Sequence, residues 1–212
     1  MGRSRPALVT LGLSAAAVLG YVSYRLLVAA PTEPPATALA PASADAEREQ
    51  APARQLADTL PDFTLGDLAG EPQSIRSFNG KPLIINFWAT WCGPCLREIP
   101  MLKELQTARP DLQIVGVAID RREPVEKFAG DIAFNYPILI GQSEAWEAAA
   151  ALGVDIYALP FTVFAGADGA ILGVHTGELH AEHLADFRAV IDELAAAKIG
   201  VQEARSRIAG RM

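Results

Sequence analysis

From residue 58 onward the chain alternates between short apolar runs and segments with helical composition. Residues 83–88 and 113–120 are short and almost entirely apolar, which is typical of strands buried on both faces. From 181 to 198 the apolar positions instead follow the spacing of one helical face. The pattern also predicts helices at 92–109, 123–130 and 144–152, and extended segments at 63–65, 74–75, 136–140, 161–164 and 170–174.

The order of these elements predicts the fold class. Turn-rich residues 66–72 separate the first two extended segments, and residues 166–169 (GADG) separate the last two, so each pair is expected to form a hairpin. Strands that alternate with helices and then close with a hairpin and a helix give an α/β sandwich with a mixed sheet. The predicted domain, residues 58–197, spans about 140 residues, which is enough for one hydrophobic core.

The first 30 residues have a different pattern. Residues 6–24 carry no charge, and further apolar residues follow Arg25. Such a stretch can span a hydrocarbon core of about 30 Å, so we expect one membrane-spanning helix within residues 1–30. A cleaved signal peptide remains the alternative, because the Ala-rich residues 36–40 could hold a cleavage site. No Lys or Arg follows Arg25 until Arg48, which favours an inside N-terminus and an outside domain.

Two segments flank the predicted domain without a core-forming pattern. Residues 31–57 are dominated by Ala, Pro, Thr and Ser, which indicates a semi-extended linker that holds the domain off the membrane. Residues 198–212 are a mildly basic tail in which the sequence shows no motif.

Composition and charge exclude several classes of function. The 212 residues include 18 basic and 25 acidic side chains, and no basic cluster could neutralise the phosphates of a nucleic acid. Two cysteines cannot build a disulfide framework or a four-thiolate zinc site. The predicted domain holds 9 basic and 20 acidic side chains, so we expect its partners to present basic or neutral surfaces.

The two cysteines, Cys92 and Cys95, lie where a predicted strand ends and a predicted helix begins. Such a pair can bind metal, staple the chain, or cycle between dithiol and disulfide. No second pair of Cys or His at zinc-ligand spacing accompanies it, and a staple across so short a loop stabilises little. Unpaired N–H groups and the helix dipole favour a thiolate at Cys92, and one helical turn brings Cys95 within bonding reach. This placement favours redox chemistry over the other two uses.

Residues 87–95 (FWATWCGPC) resemble the active-site segment of the thioredoxin superfamily. More narrowly, the chain resembles the membrane-anchored TlpA/ResA/CcmG-type thiol-disulfide oxidoreductases over about residues 58–197. Asn86 stands where thioredoxin has a buried aspartate, whereas Glu98 matches an acidic residue of the ResA and CcmG branch. The other matching positions are Pro100 within the helix, the cis-proline loop 159–162 (LPFT), and the hairpin turn 166–169.

The resemblance implies a thioredoxin-like three-layer sandwich with a central mixed sheet, preceded by one N-terminal transmembrane helix. It implies a redox-active disulfide in which Cys92 attacks a substrate disulfide and Cys95 resolves the mixed disulfide. Glu98 could take the proton from Cys95 if burial raises its pKa, and a solvated helix glutamate is the alternative. Pro160, if cis, would place the backbone of Leu159 beside the sulfurs, where an extended substrate could pair with it.

Residues around the cysteines are candidates for substrate contact. Trp91, Gly93 and Pro94 are expected at the surface around Cys92. Trp88 could share that role or could be ordinary core packing.

The Gly93-Pro94 dipeptide resembles that of reducing thioredoxins, whose reduction potential is about −270 mV. It differs from that of strong oxidants, whose reduction potential is about −120 mV. We therefore expect a protein-disulfide reductase. No G-x-G-x-x-G motif follows a strand, so no nicotinamide or flavin cofactor is predicted, and a membrane reductant must supply the electrons. The resemblance implies disulfide-bearing clients, either apocytochrome c haem-site cysteines or thiols of copper-delivery proteins. It places the domain on the periplasmic side of a bacterial inner membrane.

A copper-binding assembly factor of the Sco-like kind is the alternative. Cys92, Cys95 and a histidine such as His175 or His180 would then be the ligands, since thiolates suit Cu(I). Sco-like proteins space their cysteines by three residues, which disfavours this function, and no metal site is predicted. A peroxidase is disfavoured further, because Ala89 stands where the peroxiredoxin pattern has threonine. The three histidines are otherwise expected on the surface.

Overall fold

A computed structural model describes residues 56–153 and 158–210. The predicted anchor, residues 1–30, and nearly all of the linker lie outside the described residues. Within the described part, no helix is both long enough and apolar enough to cross a bilayer.

The described residues form every strand and helix that the sequence pattern predicts, with ends that differ by a few residues, and they also form a C-terminal helix that it does not predict. The strands are β1 (Thr64–Asp67), β2 (Pro72–Ser74), β3 (Leu83–Trp88), β4 (Gln113–Ile119), β5 (Ile138–Gly141), β6 (Phe161–Ala165) and β7 (Ile171–Thr176). The helices are α1 (Gly93–Ala108), α2 (Arg122–Ile132), α3 (Ser143–Ala151), α4 (Ala181–Ala195) and α5 (Val201–Ala209), with a 3₁₀ turn at Ile75–Phe78.

The strands form one mixed sheet in the order β2-β1-β5-β4-β3-β6-β7. β3, β4 and β5 are parallel, and the two predicted hairpins, β1-β2 and β6-β7, are confirmed as antiparallel pairs. Because parallel strands end at the same edge of a sheet, the carboxyl ends of β3 and β4 lie side by side. The segment that follows β3 carries both cysteines, so this edge positions them.

Alternating side chains of β3 pack into two separate cores. Ile84 and Trp88 face one core, which also contains apolar residues of α1, α2, α4 and α5. Leu83, Ile85 and Phe87 face the other, which contains residues of α3. Helices therefore cover both faces of the sheet, and the predicted α/β fold with a mixed central sheet is confirmed.

The segment in which the sequence shows no motif contains the helix α5. Ala204 and Ile208, four residues apart, are buried against the sheet and form its short apolar stripe. Nε of Arg205 donates to the carbonyl of Ile171 at 2.8 Å, and Nη1 of Arg205 pairs with Asp58 at 2.7 Å. A nine-residue helix with so narrow an apolar stripe is hard to predict from sequence alone. Most of its stability comes from packing against the strand that it covers.

Replacing Gly173 with alanine is expected to destabilise the domain through α5. A Cβ at Gly173 would lie 2.5 Å from Cγ2 of Ile208 and 3.4 Å from its Cβ, so either the strand or the helix must move. We expect a loss of about 1–3 kcal/mol in the free energy of unfolding, measured by urea denaturation. Gly130→Ala is the matched control, because a Cβ there meets nothing within 4 Å. Equal stability of the two variants would contradict this packing of α5.

Candidate redox site

Cys92 and Cys95 form a disulfide at the start of α1, with an S–S distance of 2.07 Å. Cys92 is the N-cap residue of the helix, and its Sγ accepts a hydrogen bond from the N–H of Cys95 at 3.3 Å. Pro94 lies in the first turn, where a missing N–H costs no helical hydrogen bond. In the reduced protein the same N–H groups and the helix dipole favour a thiolate at Cys92.

The residues around the disulfide differ strongly in exposure. Cys92 is 5 % exposed and Cys95 is fully buried, which is the order that attack by Cys92 requires. Trp91 is 68 % exposed, and Gly93 is also exposed. The structure thus places Trp91 and Gly93 at the surface beside Cys92, as the sequence predicts, whereas Pro94 is half-buried.

Glu98 is buried beneath the redox site. Only 1 % of it is exposed, so it is not the solvated helix residue that the alternative proposed. Its Oε1 accepts a hydrogen bond from Nδ2 of Asn86 at 2.6 Å, and its Oε2 accepts one from the N–H of Leu179 at 2.8 Å. The three-residue spacing places it one helical turn from Cys95, on the same buried side of α1.

Burial raises the pKa of Glu98 from its ordinary value of 4.5 to about 7. The two hydrogen bonds from Leu179 and Asn86 oppose this rise, because they stabilise the carboxylate, and the negative charge of Glu178 adds to it. Burial also raises the pKa of the Tyr136 phenol, and the charge of Glu98 adds to that rise. A carboxyl with a pKa near neutrality can both accept and return a proton.

Among the described residues, the buried polar side chains are Asn86, Glu98, Thr162 and His175. They form one group. Asn86, Thr162 and His175 are cross-strand neighbours on β3, β6 and β7, and Nδ2 of Asn86 also donates to Oγ1 of Thr162 at 3.1 Å. The sheet therefore places a row of polar groups under the part of α1 that carries Glu98.

The expectation that all three histidines lie on the surface is wrong for His175. It is 7 % exposed, because β7 directs its ring towards α4, where it packs on His183 with ring centroids 4.1 Å apart. Its Nε2 lies 3.2 Å from the carbonyl oxygen of Glu178. Desolvation lowers the pKa of His175, and nearby His183 lowers it further.

The ligand set of the copper alternative does not come together in the described structure. His175 contacts Glu178 and His183, while His180 caps α4 and is exposed. The described residues contain no group of three or more His, Cys, Asp or Glu side chains that could hold a metal ion.

Trp88 does not shape the surface around Cys92. It is 1 % exposed, and its ring packs on those of Phe128 and Phe134 with centroids 5.5 Å away in each case. The alternation of β3 places it in the core beneath α1, so its role is packing.

A contact that the sequence pattern does not predict anchors the redox loop. Oδ2 of Asp120 accepts hydrogen bonds from the N–H of Thr90 at 3.0 Å and from its hydroxyl at 2.5 Å. Asp120 directly follows β4, and Thr90 follows the parallel strand β3, two residues before Cys92. The rule that neighbouring parallel strands end at one edge could have paired these two residues.

The Leu159-Pro160 peptide bond is cis, as the resemblance implies. Pro160 is buried next to the first residue of β6, and the register of β3 with β6 places it at the same end of the sheet as the redox loop. Its carbonyl oxygen accepts a hydrogen bond from the N–H of Gly177 at 2.9 Å. Leu159 is half-buried and packs against both cores.

Comparison with known proteins agrees with this geometry. The family described as Redoxin matches residues 55–191. The thiol-disulfide oxidoreductase ResA of Geobacillus thermodenitrificans is 33% identical over 129 residues, which make up 59% of this chain and 72% of that protein. The thioredoxin-like protein YneN of Bacillus subtilis is 34% identical over 126 residues, or 56% of this chain and 70% of YneN. A solved thioredoxin-family thiol:disulfide interchange protein from Chlorobium tepidum TLS has a TM-score of 0.56 and 28% identity, covering 65% of this chain and 95% of that one.

Proposed function

Since the chain belongs to the Redoxin family and is a TlpA/ResA/CcmG-like thiol-disulfide oxidoreductase, we propose that it works as a reductase of client-protein disulfides. The observation that carries this proposal is the pairing of an N-capping Cys92 with a buried Glu98 one turn beyond Cys95. The first favours a nucleophilic thiolate, and the second supplies a base for the sheltered thiol.

The reaction takes two exchange steps. The Cys92 thiolate attacks one sulfur of the client disulfide, the client S–S bond breaks, and its other sulfur leaves as a thiolate that takes a proton from water. Glu98 then accepts the proton of the Cys95 thiol, and the Cys95 thiolate attacks Sγ of Cys92. The mixed disulfide breaks, the second client sulfur leaves, and the Cys92–Cys95 disulfide forms. Two electrons have passed to the client, and an external dithiol must return them to the enzyme.

We place this reaction outside the cytoplasm, at a bacterial inner membrane. The apolar N-terminal stretch and the Ala/Pro-rich linker support a tethered domain on the periplasmic side. A membrane protein would supply the electrons, and clients would be apocytochrome c or copper-delivery proteins, as the resemblance implies. The acidic balance of the domain favours clients whose cysteines lie in basic or neutral surfaces.

The reduction potential of the Cys92–Cys95 pair tests the direction of electron flow. We expect a value closer to the roughly −270 mV of thioredoxin than to the −120 mV of strong oxidants, because the intervening residues are Gly93 and Pro94. The measurement is equilibration with dithiothreitol or glutathione buffers, followed by thiol alkylation and mass spectrometry. Gly93→Pro with Pro94→His provides a comparison with an altered dipeptide. A wild-type value near −120 mV would make the protein an oxidant and overturn the proposed direction.

A further inference from the structure

Residues 177–179, which we call the 177–179 loop, lie between β7 and α4, and each of the three takes part in a hydrogen bond. The N–H of Gly177 donates to the carbonyl of Pro160, and the carbonyl of Glu178 lies 3.2 Å from Nε2 of His175. The N–H of Leu179 donates to Oε2 of Glu98 at 2.8 Å. This 177–179 loop thus supplies one of the two hydrogen bonds described for the Glu98 carboxylate.

The side chain of Glu178 ties the same loop to α1. Nε of Arg97 donates to Oε1 and Oε2 of Glu178 at 3.0 and 3.2 Å, and Nη2 of Arg97 also pairs with Oε2. Arg97 directly precedes Glu98, and Glu178 directly precedes Leu179. The ion pair therefore joins the residues next to the two partners of the buried hydrogen bond.

The ion pair is unsuited to a general stabilising role. Arg97 is largely exposed, and ion pairs that involve an exposed, solvated side chain contribute little to stability. A guanidinium that engages both carboxylate oxygens nevertheless fixes the relative position of the two side chains. The Arg97–Glu178 ion pair therefore matters more for the position of the loop than for the stability of the fold.

We propose that Arg97 and Glu178 are positioning residues, whose ion pair holds the 177–179 loop against α1 so that the Leu179 N–H stays on the Glu98 carboxylate. The inference rests on the proposed function, in which Glu98 exchanges a proton with Cys95. Neither residue touches the reacting sulfurs in this role; both act through Leu179.

Glu178 affects the pKa of Glu98 in two opposite ways, through its own charge and through the position of the Leu179 N–H. The direction in which this pKa changes when Glu178 is removed therefore tests the positioning role. The charge of Glu178 raises the pKa of Glu98, whereas the Leu179 N–H lowers it, and the hydrogen bond has the larger effect. Removing Glu178 lowers the pKa of Glu98 if charge alone matters. It raises that pKa if the loop also shifts so that the N–H is lost while the carboxyl stays buried.

The experiment is a ¹³C NMR titration of the Glu98 carboxyl carbon in the full chain with Cys92 and Cys95 oxidised. For Glu178→Ala we expect the titration midpoint to rise by roughly one pH unit, the effect of losing a hydrogen bond to a charged group. Arg97→Gln should shift it in the same direction, because it frees the loop and leaves the Glu178 charge unpaired. Arg122→Gln is the matched control, since it breaks the exposed Arg122–Glu126 pair on α2 and should leave the midpoint unchanged.

A midpoint that falls or stays constant in Glu178→Ala would overturn the positioning role, and would mean that the buried Leu179 side chain holds the N–H by itself. The oxidised protein needs no turnover, so this result is independent of the proposed function. A shifted midpoint combined with an unchanged pH profile for resolution by Cys95 would instead overturn the catalytic role of Glu98 and leave the positioning role standing.

Discussion

Replacing Cys95 with serine is expected to abolish disulfide turnover and leave Cys92 in stable mixed disulfides. The first exchange step needs only the Cys92 thiolate, whereas release of the client needs a second thiol, and the chain has no third cysteine to supply one. Turnover of a model disulfide such as insulin measures the first effect. Non-reducing electrophoresis and mass spectrometry measure the second.

Cys92→Ser is the matched variant, with the same chemical change at the other position. It should also abolish turnover, but it should trap no client, because the fully buried Cys95 cannot reach an external disulfide. Mixed disulfides through Cys95 in the Cys92→Ser protein would reverse the assigned roles. In native membranes, the proteins linked to Cys92 of the Cys95→Ser variant would identify the clients.

Replacing Glu98 with glutamine is expected to slow resolution of the mixed disulfide by about 100-fold or more at neutral pH, the usual effect of losing a general base. The substitution retains the shape of the side chain but removes the group that accepts the Cys95 proton. The measurement is stopped-flow release of an aromatic thiol from Cys92. Glu104→Gln, at an exposed position on the same helix, should leave the rate unchanged. Equal rates for wild type and Glu98→Gln would show that water suffices as the base.

The same residue should make stability depend on pH. The folded protein raises the pKa of Glu98 from 4.5 to about 7, so it binds this proton more tightly than the unfolded chain does. The resulting stabilisation is fully present below about pH 4.5 and is lost as the pH rises through 7. Between pH 5 and 8 the loss is about 2.5 kcal/mol in the free energy of unfolding.

Urea unfolding of the oxidised wild type and of Glu98→Gln at these two pH values isolates this contribution. The glutamine cannot titrate, so the variant should lack this part of the pH dependence, while all other groups contribute equally to both proteins. A parallel pH dependence in the two proteins would show that Glu98 titrates near its ordinary value, and would remove the basis for its role as a base.

Local patterns predicted the elements that carry the site. The sequence predicts β3 and the start of α1 because the hydrophobic periodicity of a strand or a helix is visible within a few residues. The Cys92-Cys95 spacing and the position of Glu98 followed from the same helix. Prediction was weaker where a residue has no local signal, as for the helix α5.

One wrong expectation, the surface position of His175, and one alternative that the sequence left open, the role of Trp88, concern residues whose environment comes from distant segments. His175 is buried because α4 packs over β7. Trp88 lies in the core because Phe128 and Phe134, which follow α1 in the chain, pack on its ring. Neither neighbour is visible from the local pattern. For a side chain at the end of a strand, the local sequence predicts an exposed and a buried position equally well until its packing partners are known.

By itself the sequence determined the order of strands and helices as far as α4, the presence of one dithiol pair at a helix start, and the resemblance that indicates the chemistry. The tertiary structure alone decided what surrounds Glu98. Asn86 comes from β3, and Leu179 comes from a loop 81 residues after Glu98 in the chain. Only the packed fold removes water from the Glu98 carboxyl that lies between them. The pKa of a buried group depends on desolvation and on nearby charges and donors, and these are properties of three-dimensional neighbours rather than of sequence neighbours.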